Sequence, residues 1–347
     1  MAGSSNFITF FILSISVCVK QCLCANFLVG RHFQVTHPVD DLSEKQLSKY
    51  GKLENMTHLR DAVKNILIPR VAGTKGHVRV RDYISHSIQD MGWSFEWDEF
   101  YQCPAILGIV HFHTIIATLK PHADRYLVLT CHYDSRFGEH TTFLGAIHAV
   151  PCAMLLNIAK VLQNELQQFR RKELSLMFIF FDGHEPPQFY DGDRFPFGAR
   201  NLARRWAEYG TLNKLDMLIS LDMIGLDDTT FRSFFANTNE WFDRFTALEE
   251  RLSFANKLYR CRKPKHYFEP DPLHDYFFKG DHTPFKEQSV PILHLTPERH
   301  PRVWHTKEDN ESKIDYEATE DISRIIRLFI MEYLLSGINK KNKCKAR

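Results

Sequence analysis

Residues 178–190 read FIFFDGHEPPQFY, and this stretch decides the fold. Four apolar residues run into Asp182 and Gly183, the pattern of a buried strand reaching the edge of a sheet, where α/β enzymes place their chemistry. His184 and Glu185 follow at once, a titratable pair where a ligand crevice is expected. Working outward, strand-like and helical segments alternate. RYLVLTCHYD, ending at Asp134, reads as a strand and PCAMLLNIAKVLQNEL as a helix; LSLMFIFFDG and FGARNLARRWAEYG repeat the pair. KLDMLISLDMIG with NEWFDRFTALEERLSFANKL, and VPILHLT with DISRIIRLFIMEYLL, repeat it twice more. Upstream, Val80, Ile84, Ile88 and Met91 keep helical spacing, whereas Trp93, Phe95 and Trp97, and then HFHTIIATLK from His111, alternate like strands. The alternation predicts an α/β protein with three α/β/α layers around a mostly parallel mixed sheet.

Composition narrows the function classes. The 347 residues are 44% hydrophobic and 25% charged, ordinary for a globular protein, and a net charge of +2 gives no polyanion-binding surface. Nucleic acid is therefore not expected as a partner. The apolar run Phe7–Val19 has the length of a secretory h-region and is shorter than the roughly 20 residues of a membrane span. Residues 1–24 are read as a signal peptide, or alternatively as an uncleaved anchor, and residues 25–347 as a single catalytic domain. A secreted monomer is expected, with the Golgi lumen as the alternative location and no other membrane contact. Beyond the leader, Cys103, Cys131, Cys152, Cys261 and Cys344 show no zinc-ribbon spacing. Asn55-Met56-Thr57 and Asn310-Glu311-Ser312 are N-glycosylation acceptor triplets.

Four places carry polar chemistry at strand ends or in the loops after them: His132/Asp134, His184/Glu185, Asp222 and His305. Taken singly, such an aspartate reads as a helix cap and such a histidine as a packing residue. As a set, carboxylates and imidazoles suit a catalytic zinc, which takes N and O ligands and keeps a position open for substrate.

CHYDS at 131–135, AVPCAM at 149–154, FIFFDG at 178–183, SLDMIG at 220–225, GDHTPF at 280–285, VPILHL at 290–295 and VWHTKEDNE at 303–311 together resemble the glutaminyl-peptide cyclotransferases. The resemblance runs in consistent order from about residue 35 to 335. It implies a zinc-aminopeptidase-like fold with one Zn2+ per chain, acting on peptides and proteins that begin with glutamine and converting that residue to pyroglutamate with loss of ammonia. It implies Glu185 and His305 as zinc ligands, Trp304 as a pocket wall, Asp222 within the catalytic network and a Cys131–Cys152 disulfide.

The same resemblance exposes departures at functional positions. His184 stands where the family's proton-shuttling glutamate is expected. GAIHAVPC, one residue shorter than the family's stretch, offers His148 in place of the zinc aspartate when counted from Gly145, and Ile147 when counted back from Pro151. Gly280 replaces the first of two aspartates and leaves Asp281, a candidate catalytic group. His300 and Tyr190 stand at positions of pocket aromatics. His184 has three readings: general base, inert residue or zinc ligand. The chain is accordingly read as a zinc-dependent glutaminyl cyclase. The alternatives are a catalytically impaired relative that binds peptide N-termini, and a zinc aminopeptidase.

Overall fold

In the computed structural model of the protein, the described residues are 37, 40–104, 108–138, 143–185, 195–260, 266–273 and 279–336. The chain divides into Met1–His37 and Pro38–Arg347, and every element below belongs to the second unit. The segment read as a signal peptide, Tyr190, Cys261 and Cys344 lie outside the described residues.

One six-stranded sheet organises the fold: β1 (Ser94–Gln102), β2 (Val110–Thr118), β3 (Arg125–His132), β4 (Leu174–Phe181), β5 (Leu215–Leu221) and β6 (Ile292–Leu295), in the order β1-β2-β4-β3-β5-β6. Strands β4, β3, β5 and β6 run parallel, while β2 pairs antiparallel with β4 and with β1. The sheet is mixed and mostly parallel, as expected. LSLMFIFF lacks polar alternation because both faces of β4 are covered. Leu174, Leu176, Phe178 and Phe180 enter one core with the helices Met56–Ile66, Lys75–Asp90, Ala146–Val161, Asn239–Phe254 and Tyr316–Leu335. Met177, Ile179 and Phe181 enter the other with the helix Phe197–Glu208 and Phe285.

The Ala146–Val161 helix carries His148 in its first turn, and its sequence explains how it is fixed. Gly145, at φ 62°, starts it in the left-handed region that favours glycine. The first amides of a helix have no partner within it. Here Ala146 N donates to the Asp309 carbonyl and Ile147 N to Asp309 Oδ1, at 3.4 and 3.0 Å. Pro151 has no N–H to offer the carbonyl of Ile147, four residues earlier. That carbonyl instead accepts Ile224 N at 3.1 Å, which ties the helix start to the loop after β5. The two residues of the ambiguous count face different ways: Ile147 packs against Met223, Leu226 and Val303, while the imidazole of His148 faces the strand ends.

Cys131, the penultimate residue of β3, is disulfide-bonded to Cys152 of this helix, while Cys103 is free and exposed. The bridge closes a loop spanning 21 residues, which chain entropy converts to about 3 kcal/mol. Replacing both cysteines by alanine should lower the unfolding free energy by about 3 kcal/mol, read as a lower denaturant midpoint together with a steeper slope, because the uncrosslinked unfolded chain is more expanded.

Candidate active site

The carboxyl ends of β3, β4 and β5 deliver the polar residues to one place. Past β4 the chain turns at Gly183, whose φ is 68° and whose missing side chain is needed: a Cβ there would lie 2.8 Å from the ring of Phe112. The turn presents His184 and Glu185, and Asp134 beyond β3 fixes both. Asp134 Oδ1 accepts His184 N at 3.2 Å, and Oδ2 accepts Glu185 N at 2.8 Å. The same Oδ1 lies 3.1 Å from His132 Nδ1.

Glu185, His148 and His305 converge, each offering a ligand atom within 4.8 Å of the others. Glu185 Oε1 lies 3.6 Å from His148 Nε2 and 3.3 Å from His305 Nε2. His305 reaches inward from a turn in which Thr306 N donates to the Val303 carbonyl, and its φ of 56° is uncommon for a residue with a side chain. Behind His148, Asp222 Oδ1 lies 3.0 Å from Nδ1. With a proton on Nδ1 donated to that carboxylate, Nε2 keeps a lone pair facing Glu185, the orientation that outer carboxylates impose on metal-binding histidines.

The fit to a metal can be tested on the residues themselves. His148 Nε2 is buried without a hydrogen-bond partner, a costly arrangement unless something accepts its lone pair. Two imidazoles and one carboxylate are a normal zinc donor set. His132, His148 and Asp222 also approach one another closely enough to hold an ion. That group is already closed by its own hydrogen bonds, with His132 Nε2 3.0 Å from His148 Nδ1 and Asp222 Oδ1 accepting Met223 N at 2.8 Å. One neighbour opposes ligation: Arg136 hydrogen-bonds His305 Nδ1. A guanidinium only donates, so this contact puts the His305 proton on Nε2, and a metal at Nε2 requires Arg136 to move off the ring.

His184 is not in either metal-binding group. Its Nδ1 lies 2.9 Å from Asp281 Oδ2, and its ring stacks on His132 at 3.9 Å. Gly280 lies beside it: a Cβ there would make only an ordinary contact with His184 Cε1, at 3.7 Å. Trp304 stacks on His305 at 3.7 Å, and His300 on Trp304 at 3.9 Å, so the two described residues among those read as pocket aromatics form a column leading from His305. Burial opposes charge on Glu185, but the hydrogen bond with His305 and the nearby His148 and His132 outweigh it and hold the carboxyl well below the usual range. Burial likewise opposes charge on Asp222, and His132 and His148 outweigh it. Burial pushes His294, close to Asp222 and His184, down to about 4, so it is neutral at physiological pH.

Sequence reading missed Arg70, Arg136 and Asp309. Fully buried Arg70 donates through Nε to the Tyr133 carbonyl at 2.7 Å and through Nη2 to that of Gly145 at 3.1 Å, bracing the turn before His148. Asp309 stood inside the quoted VWHTKEDNE block and had a local signal; Arg70 had none.

Comparison with known proteins bears on the chain as a whole. The family model described as Peptidase family M28 matches residues 114–330. A glutaminyl-peptide cyclotransferase of Drosophila melanogaster is 45% identical over 316 residues, covering 89% of each chain. The crystal structure of Macrostomum lignano glutaminyl cyclase superposes with a TM-score of 0.80 at 32% identity, covering 86% of this chain and 95% of that one. A Zn-dependent exopeptidase from Parabacteroides distasonis, at 20% identity and a TM-score of 0.67 over 80% of this chain and 98% of its own, shares the fold.

Beneath the site, buried His77 pairs through Nε2 with Asp182 Oδ1 at 2.8 Å, while Asp182 Oδ2 accepts His113 N at 2.8 Å. Burial lowers the His77 pKa, but the Asp182 carboxylate outweighs it and raises the net value above the ordinary 6.5. A raised histidine pKa contributes stability that is fully present below the unfolded value and is lost as pH rises through the folded one. The stability advantage of wild type over His77→Gln should therefore be largest below pH 6.5 and shrink above it, measured by denaturant unfolding across pH.

Proposed function

The chain belongs to the glutaminyl-peptide cyclotransferase family, within peptidase family M28, and from that premise we propose that it converts N-terminal glutamine of peptides and proteins to pyroglutamate with release of ammonia. The observation that carries this reading is the convergence of His148, Glu185 and His305 around an unpartnered imidazole nitrogen. These three residues would hold one zinc ion. Bound there, zinc would polarise the γ-carboxamide of the substrate as a Lewis acid.

The chain's own residues account for the rest. Asp281 accepts the Nδ1 proton of His184, leaving the other ring nitrogen as the base. That nitrogen takes a proton from the substrate α-amine as the amine forms its bond to the γ-carbonyl carbon. It returns the proton to the departing nitrogen as the carbon–nitrogen bond breaks, and ammonia leaves. Asp222 keeps His148 oriented. Trp304 and His300 give the glutamine methylenes an apolar wall that bends the side chain back on its own amine. Because the attack is intramolecular, that positioning supplies much of the rate.

A histidine in place of an aspartate leaves Glu185 as the one carboxylate of the set. The ion is then a stronger Lewis acid but is held by one charge fewer. A second reading, a family member that binds peptide N-termini without turnover, is favoured by the Arg136 contact on His305. An aminopeptidase is disfavoured, since a two-metal centre of that kind needs a bridging carboxylate where this chain has His148. The apolar leader supports secretion, with the Golgi lumen as the alternative. In such a compartment Asn55 and Asn310 would carry glycans, and the protein would act as a monomer.

Zinc content and ammonia release from a peptide beginning with glutamine test the reading together. Glu185→Ala should lose one equivalent of zinc and all ammonia release. His184→Ala should keep that zinc and lose about 10²- to 10⁴-fold in kcat. A folded wild-type protein that binds the peptide but releases no ammonia, whatever its zinc content, would establish the binder instead; unchanged turnover in His184→Ala would end the base assignment.

A further inference from the structure

A second cluster of metal-binding side chains lies on the antiparallel pair β1/β2 and shares no residue with the site above. His111 and His113 are two apart on β2 and so face the same side, and Glu99 on β1 is paired directly with His113. His111 Nε2 lies 3.2 Å from Glu99 Oε2, and His113 Nε2 lies 3.8 Å from the same oxygen. A tetrahedral zinc with ligands at about 2.0–2.2 Å separates its donors by roughly 3.3 Å. The two measured separations bracket that value, and all three ligand atoms lie within 4.8 Å of one another.

The rings are already held in place. Tyr101 stacks on His111 at 4.2 Å, and Trp97 meets His113 edge-on at 5.7 Å. His113 is only 8% exposed; its backbone N–H is donated to Asp182, and its carbonyl accepts the Tyr133 hydroxyl at 2.8 Å. The nitrogen that faces Glu99 is Nε2, and Nδ1, on the far side of the ring, has no hydrogen-bond partner. Glu99 and His111 are partly exposed, which leaves the cluster open to an ion from solution.

From this geometry we propose that Glu99, His111 and His113 form a second metal site for a borderline divalent transition-metal ion, with Zn2+ as the probe. Three protein ligands leave one position for water. The ion clamps β1, one of the two edge strands of the sheet, to β2 across a directly opposed pair. A chain edge is where a sheet frays and where another strand can add, so a bond across it stabilises the part of the sheet most in need of it.

The test compares the whole protein with His111→Ala and Glu99→Gln, both changes at partly exposed positions, after equilibration with a slight excess of Zn2+ and removal of free ion. Wild type should retain one zinc equivalent more than either variant, with zinc affinity for that equivalent falling more than about tenfold in each. Added Zn2+ should raise the melting temperature of wild type more than that of either variant. Glu185→Ala should still retain the His111-dependent equivalent, which separates this site from the one proposed for turnover. Equal zinc retention in wild type and both variants, or an extra equivalent that persists without His111, would overturn the proposal.

Discussion

The carboxylate of Asp134 is the constraint on which the site depends. It sits buried at the end of β3 and accepts the backbone amides of both His184 and Glu185, so the turn after β4 can adopt only the path that aims Glu185 at His148. Hydrogen bonds to a charged acceptor are worth about 1.5–3 kcal/mol each, and in a buried setting their loss also leaves amides unpaired. Without them, the left-handed turn at Gly183 would have no reason to hold two adjacent side chains toward different partners. Glu185 goes to the imidazoles of His148 and His305, and His184 goes to Asp281.

The opposite wall of the site is built by the same logic from the helix that starts at Ala146. A proline inside a helix normally weakens it. Here Pro151 frees the Ile147 carbonyl for the loop after Asp222, so the residue that orients His148 and the helix that carries it are joined through one backbone bond. Asp309 caps the same helix from the segment that bears His305. The positions of the three converging side chains are therefore coupled through the scaffold before any ion is considered. With two imidazoles and one carboxylate, the set carries a single formal negative charge when its histidines are neutral.

The layers were legible because apolar runs such as LSLMFIFF admit few readings in a chain that alternates with amphipathic helices. Glu185 and His305 could be singled out as candidates because they stand in blocks shared with a family, Glu185 just after a strand-like run and His305 in a loop beyond VPILHLT. His148 was ambiguous in a linear count, since one missing residue gives two registers; only the helix start, where Ile147 turns into an apolar cluster, separates them. Arg70 and Arg136 were invisible because the partners that tie them to the site, Tyr133 and His305, lie 63 or more residues away and nothing local marks such a guanidinium. The Glu99, His111 and His113 cluster escaped for a related reason: strand alternation gives the face of each residue, but not the register that sets Glu99 opposite His113.

Anomalous X-ray scattering at the zinc absorption edge, recorded from crystals of the zinc-loaded protein, addresses the arrangement itself without reference to turnover. A peak at about 2.0–2.2 Å from His148 Nε2, a Glu185 carboxylate oxygen and His305, with Arg136 withdrawn from that ring, is the expected result. A peak bounded instead by His132 and Asp222, or none near Glu185 in crystals soaked with excess zinc, would contradict the account.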